Sequence, residues 1–177
     1  TQDLKDFRDL VNLGYTNISA KLMNDIDLQG NESDQWIPIG LNITTPFTGY
    51  FDGNGHTISG IYMNTNTYTH AGFIGYYRNT NNDASLKQNN WGISDVSNRF
   101  ISNIKNLTVN GYIRNTRANS PAGGIIGYAD SINIYNCINK ADIVNNNDQT
   151  GGIIGHIIEE SIVNACTNEG NITNGGG

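Results

Sequence analysis

Hydrophobic residues in this chain come in short runs that are separated by polar and glycine-rich turns. One such run reads small residue, Gly, apolar residue, Ile, Gly, then an aromatic residue or His. It occurs three times, at 71–76, 123–128 and 151–156. The last two copies are 28 residues apart. A period of roughly 20 to 50 residues is typical of stacked repeat architectures, so the pattern predicts a repeat protein.

The segments between these copies also repeat. Residues 104–107, 134–137 and 163–166 match one another, and each is followed six residues later by an isoleucine. In a parallel stack, equivalent residues of successive repeats lie on top of one another, roughly 4.8 Å apart. We therefore predict three columns of side chains: Ile74 with Ile126 and Ile154, Leu107 with Cys137 and Cys166, and Ile113 with Ile143 and Ile172.

The apolar runs are too short for helical repeats, because none keeps a 3.6-residue period within the repeating part. Short strands joined by Asn and Gly turns favour an all-β fold, a parallel β-helix or β-solenoid.

The N-terminal residues have a helical pattern instead. Leu4, Phe7, Leu10 and Val11 form one apolar stripe, which predicts a helix that Thr1 begins and Gly14 ends. Such a helix would cover the open end of the stack.

The chain is therefore predicted to be a single β-solenoid domain, 1–177, with three parts. Residues 1–14 form the capping helix, residues 15–70 hold the opening strands, and residues 71–177 hold the repeats. A strand is expected over Ile18–Leu28, and a turn over Asp52–Gly55. The last residues resemble the start of a further repeat, which predicts that the chain is part of a longer array.

The period fails at one place, an insertion at 79–99. Long insertions in repeat proteins lie on one face, often the binding face. This insertion contains Trp91, and Tyr76, Tyr77 and Tyr128 are expected nearby. Aromatic faces suit contacts with sugars or proteins, so these four residues are the predicted binding residues. The alternatives are a variable loop without a role and tyrosines that only pack along a column.

Charge and composition remove some classes of function. Only 15% of the residues are charged, the net charge is −6 and the isoelectric point is about 4.8. An acidic chain does not attract a phosphate backbone, so no nucleic-acid partner is expected. No apolar run approaches the roughly 20 residues that span a bilayer, so no membrane insertion is expected.

Three parts of the sequence resemble the GLUG-motif repeat family of bacterial proteins. They are Asn24–Leu28, Trp36–Gly40 with Phe47–Ile58, and the later Gly-apolar-Ile-Gly copies. The resemblance covers nearly the whole chain apart from the insertion. It implies a right-handed β-helix in a large secreted or surface-anchored bacterial protein, for example an adhesin-like protein or one that carries an IgA-specific metallopeptidase domain. It implies no catalytic residue.

The residues that repeat have structural explanations. Within the three copies, the glycines are expected to allow sharp corners that a Cβ atom would obstruct: Gly72, Gly75, Gly124, Gly127, Gly152 and Gly155. Cys137 and Cys166 share a position with Leu107, which favours reduced, buried, structural thiols. A disulfide between neighbouring repeats is the alternative.

Few residues suggest chemistry. His56 is a candidate metal ligand with Asp52, although a turn residue is the simpler interpretation, and no metal site or cofactor is predicted. Asp25 and Asp27 share one strand face and are candidate paired acids. The leading hypothesis is a non-catalytic extracellular or cell-surface module that binds a host glycan or an extracellular protein. The alternatives are a carbohydrate-active β-helix using Asp25, Asp27 or Asp52, and an accessory domain of a secreted peptidase.

Overall fold

The computed structural model describes residues 1–80 and 102–174. These residues form one helix and seventeen strands: α1 (Gln2–Asn12), β1 (Ala20–Lys21), β2 (Ile26–Asp27), β3 (Phe51–Asp52), β4 (Thr57–Thr65), β5 (Ile74–Arg78), β6 (Ile104–Lys105), β7 (Thr108–Asn115), β8 (Ala122–Gly123), β9 (Ile126–Asp130), β10 (Asn133–Tyr135), β11 (Ile138–Asn139), β12 (Asp142–Asn145), β13 (Thr150–Gly151), β14 (Ile154–Ile158), β15 (Ile162–Asn164), β16 (Thr167–Asn168) and β17 (Ile172–Asn174). Trp91 and most of the insertion predicted at 79–99 lie outside the described residues.

The strands form four sheets, in which every pairing between these strands is parallel. Sheet A has the order β1-β3-β6-β10-β15. Sheet B pairs β2 with β4 and β4 with β7; β7 then pairs with β11 and β12, which pair with β16 and β17. Sheet C has the order β5-β9-β14, and sheet D joins β8 to β13. Within each repeat, the strands follow one another along the chain in the sheet order A, B, D, C, although some repeats lack a strand in one or more of these sheets. The described part is mostly β with parallel sheets and a single short helix, which is consistent with the predicted parallel β-helix.

The predicted columns of isoleucines are confirmed by the strand register. Ile126 pairs with Ile74 on one side and with Ile154 on the other. In the same way, Ile143 lies between Ile113 and Ile172. Before Ile74, the pairing in the structure is shifted by one residue from the alignment of the sequence copies. The sequence alignment matches Ala71 with Gly123, whereas a β-bridge pairs Ala71 with Ala122.

The strand predicted over Ile18–Leu28 is wrong as one element. The structure has two short strands there, β1 in sheet A and β2 in sheet B, separated by a bend. Asp25, in the bend, accepts a hydrogen bond from the backbone N–H of Thr57 at 2.9 Å. Alternation of apolar residues continues through this corner, so the pattern does not reveal where the chain changes sheet. The turn predicted at Asp52–Gly55 is present, between β3 and β4.

The amphipathic helix predicted at the N-terminus is confirmed as α1, with Thr1 before it and Gly14 after it at a φ of +111°. Leu4 and Val11 are buried in the same core as the strand residues. Phe7 packs edge-on against Phe47 and Phe51, with ring centroids 5.7 and 6.0 Å apart. The helix therefore packs Leu4, Phe7 and Val11 against the first layers of the sheets, whereas Leu10, the fourth residue of the predicted stripe, is 44% exposed.

Asparagines occupy interior positions that apolar residues hold elsewhere in the stack. Asn139 is fully buried in the position of Val109 on the neighbouring strand. Its side chain accepts a hydrogen bond from the N–H of Ala141 at 3.0 Å and donates to the Ala141 carbonyl at 3.0 Å and to Asn168 at 2.7 Å. A buried amide is tolerated because it is hydrogen-bonded, and this amide also joins two successive layers.

One turn of the stack holds a column of residues in the left-handed region. Asn106, Asn136 and Ala165 have φ angles of 52°, 51° and 51°. Asn136 donates a hydrogen bond to the Asn106 side chain at 2.8 Å. Asn tolerates this backbone conformation, whereas Ala does so at a cost of about 1 kcal/mol. Ala165 is therefore a strained member of the column.

Replacing Ala165 with Asn is expected to raise the free energy of unfolding by about 1 kcal/mol, because it relieves this strain. The new amide would also lie where it can donate to Asn136. Urea denaturation measures the change. Ala165→Gly relieves the strain without adding the amide and serves as the control. A loss of stability in both variants would contradict the description of this turn.

Candidate binding surface

The aromatic residues of the repeated motif form a column on sheet C. Tyr76, Tyr128 and His156 are paired in register. The ring centroids are 4.8 Å apart for the two tyrosines and 4.9 Å for Tyr128 and His156, and both pairs are stacked. His70 meets Tyr76 and Tyr128 edge-on at 5.1 and 5.2 Å, and burial lowers its pKa. Because these spacings match the roughly 4.8 Å strand spacing, the rings leave little room for a ligand between them.

The end of this column is covered by a charged pair. The Arg78 guanidinium lies 5.5 Å from the centre of the Tyr76 ring and donates to the Tyr76 hydroxyl at 3.2 Å. Its Nε donates to Asp130 at 3.0 Å. Together with the stacked Tyr128 ring and the edge-on His70 ring, these contacts leave Tyr76 only 4% exposed. The column therefore packs successive layers together, and among its tyrosines Tyr128 retains the more accessible ring.

Tyr77 points away from this column into the core. It has no exposed surface, and its ring packs edge-on against Phe47 at 5.8 Å. Burial raises the pKa of its hydroxyl, which donates to the Gly49 carbonyl at 3.4 Å. Neighbouring residues of a strand face opposite sides, so Tyr76 and Tyr77 cannot serve one site. Trp91, the fourth predicted binding residue, lies outside the described residues.

A second tyrosine pair lies on the outer face of sheet B. Tyr62 on β4 and Tyr112 on β7 are directly paired, and both are partly exposed. Their ring centroids are 5.7 Å apart and the ring planes are tilted by 31°. The sequence repeats here as Ile61-Tyr62-Met63 and Gly111-Tyr112-Ile113. The insertion between these copies hides the period, which is why the sequence did not single out this pair.

Polar side chains extend the same outer face. On the neighbouring strand β12, Asp142 is paired with Tyr112. The Asp142 carboxylate accepts hydrogen bonds from the backbone N–H of Asn171, at 3.0 Å, and from the Asn171 side-chain amide, at 2.9 Å. Two residues further along the strands, Arg114 donates to Asn64 at 3.0 Å. On the other side, the Tyr62 hydroxyl donates to Glu32 at 3.4 Å. The tyrosine pair is therefore bordered by hydrogen-bonding groups.

The six glycines of the repeated motif lie where the chain packs closely. A Cβ atom built on each would approach another atom to within 2.7 Å at Gly72, 2.5 Å at Gly75, 2.1 Å at Gly124, 2.8 Å at Gly127, 2.3 Å at Gly152 and 2.6 Å at Gly155. None of the six has a positive φ. Close contact between layers, rather than an unusual backbone conformation, therefore accounts for glycine at these positions.

Cys137 and Cys166 lie in successive layers as free thiols, Cys137 buried and Cys166 partly exposed. Thr167, next to Cys166, donates its backbone N–H to the Cys137 carbonyl at 2.9 Å. Cys137 donates its S–H to the Tyr135 carbonyl and Cys166 donates to the Asn164 carbonyl, both at 3.3 Å. Interaction with the neighbouring Cys166 thiol, together with burial, raises the pKa of Cys137, and interaction with Cys137 lowers the pKa of Cys166 to about 7.

Cys166 is expected to react with iodoacetamide near pH 7 while Cys137 does not, because only the thiolate is nucleophilic and Cys137 is buried. Mass spectrometry of the intact protein and of its peptides, taken along a time course, measures both rates. In 6 M guanidinium chloride the two cysteines should react alike. Equal rates in the native protein would contradict this assignment.

Each of the candidate acids accepts a hydrogen bond from a backbone N–H group. Asp25 accepts from the Thr57 N–H and lies 3.0 Å from the His56 ring, and these contacts lower its pKa. Asp27 accepts from the N–H of Gln29 at 3.0 Å. Partial burial tends to raise the pKa of Asp52, but hydrogen bonds from Asn54 and a nearby Lys105 lower it on balance. The lowered pKa values of Asp25 and Asp52 suit ionised hydrogen-bond acceptors, whereas a general acid needs a raised pKa.

Across residues 1–80 and 102–174, no group of three or more His, Cys, Asp or Glu side chains is arranged to hold a metal ion. Within the same ranges, no helix has the length and apolar character needed to cross a membrane. No protein-family model, curated protein or solved structure matches the chain.

Proposed function

We propose that this chain is a non-catalytic module of an extracellular or cell-surface bacterial protein, a rigid spacer that also binds a ligand. In this proposal the chain is a right-handed parallel β-solenoid. The observation that carries the proposal is the in-register parallel stacking of equivalent residues, such as Ile74, Ile126 and Ile154. Stacked repeats form an extended rigid body in which each layer is stabilised by its neighbours.

The contacts of the candidate acids favour binding over catalysis. Asp25 and Asp52 are held as ionised hydrogen-bond acceptors in turns. A glycosidase needs one carboxylic acid with a raised pKa opposite a second carboxylate. The extracellular location rests on the resemblance to GLUG-motif proteins and on the acidic, amide-rich composition.

The test is a binding screen in which the same ligands are also examined for turnover. The protein is applied to immobilised glycans and extracellular-matrix proteins. Each retained ligand is then incubated with the protein and assayed for new reducing ends or new peptide termini. The proposal expects at least one ligand that is bound and left intact. Release of reducing ends that is lost in Asp52→Asn would instead support the carbohydrate-active alternative.

A further inference from the structure

The outer face of sheet B differs from the aromatic column of sheet C in how its rings are arranged. In the column, the Tyr76 and Tyr128 rings are 4.8 Å apart and nearly parallel, at 16°. Tyr62 and Tyr112 are 5.7 Å apart and tilted by 31°. These rings are therefore splayed rather than closely stacked. Both side chains also stay partly exposed, whereas Tyr76 is covered by Arg78.

The register of sheet B explains why this pair is rigid. Tyr62 pairs directly with Tyr112, and the inward-facing residues next to them, Met63 and Ile113, are fully buried. Buried neighbours hold each strand in place, so the two rings are positioned by the core and need little ordering when they bind a ligand. Pre-organised aromatic side chains make favourable binding surfaces for this reason.

From this arrangement we infer that Tyr62 and Tyr112 form a platform for a neutral polysaccharide, with one sugar ring packing on each tyrosine. The C–H face of a sugar ring is apolar and packs on an aromatic face, while the sugar hydroxyls need both donors and acceptors at the border. The Asp142 carboxylate supplies acceptors. Arg114 supplies donors, since its bond to Asn64 uses one of five N–H groups.

Charge indicates which polysaccharides fit. Glu32 and Asp142 border the tyrosines on opposite sides, Arg114 is a basic residue of the same face, and the whole chain carries a net charge of −6. An acidic polysaccharide would be repelled by the chain as a whole and by the two bordering carboxylates. A neutral chain of hexoses meets no such penalty, so it is the expected occupant.

This inference rests on the proposed binding function and adds its site and ligand class. The experiment measures affinity for three soluble neutral polysaccharides, a β-glucan, a galactomannan and a xyloglucan, by affinity electrophoresis and isothermal titration calorimetry. Polygalacturonate serves as the acidic comparison. The variants are Tyr62→Ala, Tyr112→Ala and Tyr112→Phe. The matched control is Tyr135→Ala, which removes a tyrosine that is 41% exposed on sheet A.

We expect at least one neutral polysaccharide to bind, and polygalacturonate to bind at least tenfold more weakly. Tyr62→Ala and Tyr112→Ala should each weaken binding at least tenfold. Tyr112→Phe, which keeps the ring, and Tyr135→Ala should stay within about threefold of the original protein. Thermal unfolding of every variant identifies any that has lost its fold. If Tyr112→Ala does not fold, the affinities of Tyr112→Phe and Tyr62→Ala are compared instead.

Three results would overturn the inference, and they separate it from the proposed function. Neutral polysaccharide binding that is unchanged in both alanine variants would place the site elsewhere and leave the proposed function standing. Binding to a matrix protein or to polygalacturonate alone would overturn the ligand class but not the binding function. Failure to bind any tested glycan or protein would contradict both.

Discussion

Replacing Ile126 with alanine is expected to lower the free energy of unfolding by about 3 to 4 kcal/mol. Ile126 is fully buried, and its column continues to Ile74 on one side and Ile154 on the other. Truncation would remove apolar contacts with both neighbours. The backbone register fixes the spacing of the layers, so the cavity cannot close by a local shift. Urea denaturation followed by circular dichroism measures the loss.

The matched control is Ile154→Ala, the same substitution in the same column one layer further along. Ile154 lies in the outermost described layer of sheet C and is only partly buried. Less apolar surface is lost there, so we expect about half the effect. Equal losses at the two positions would show that stability does not depend on stacking between layers.

Replacing Gly124 with alanine is expected to cost about 2 to 4 kcal/mol, because the added methyl group has no space. Its Cβ atom would lie 2.1 Å from the Asn139 side chain and 2.5 Å from the Gly152 carbonyl. The Asn139 amide cannot move aside without breaking its hydrogen bonds to Ala141 and Asn168. Urea denaturation again gives the change in free energy of unfolding.

A double-mutant cycle with Asn139→Ala isolates this clash. Asn139→Ala alone should cost about 2 kcal/mol, since it leaves the buried backbone groups of Ala141 without partners. In the double variant the methyl group no longer meets the Asn139 amide, although it still lies close to the Gly152 carbonyl, so the combined loss should be smaller than the sum of the two single losses. Additive losses at Gly124 and Asn139 would contradict the packing described for this corner.

The sequence predicted the register of the stack well, because the stack repeats side chains as well as backbone. An isoleucine at the same point of each repeat, as in Ile113, Ile143 and Ile172, indicates which residues lie on one another before any sheet is known. The helix at the N-terminus was equally clear, since its apolar stripe has a period that no strand shares.

The sequence was less informative about polar residues that are buried in the structure. Asn139 and Asn145 are polar, and the pattern alone places such residues in turns, but both are fully buried because backbone and side-chain groups satisfy their amides. Tyr77 was expected beside Tyr76 in a binding surface. Alternation along β5 sends it into the core instead, and that alternation was available from the sequence.

The tyrosine platform was missed for a different reason. Tyr62 and Tyr112 occupy equivalent positions of two layers, but the insertion between them breaks the regular spacing. A repeat is recognised in a sequence by equal intervals between its copies. The insertion lengthens the interval between Tyr62 and Tyr112, so their equivalence is evident only from the pairing of β4 with β7. The binding residues proposed from the sequence thus followed the regular copies, and the tyrosine pair lay outside them.

The central claim is that this chain binds a saccharide on an outer sheet face and leaves it intact. The most direct measurement is an NMR titration of the ¹⁵N-labelled protein with the neutral polysaccharide fragment that binds best, recording the protein and sugar signals together. We predict that chemical-shift changes centre on Tyr62, Tyr112 and Arg114 and that the sugar signals show no new reducing ends. Shifts centred on the turns of Asp25 and Asp52, with new reducing-end signals growing over time, would contradict the account.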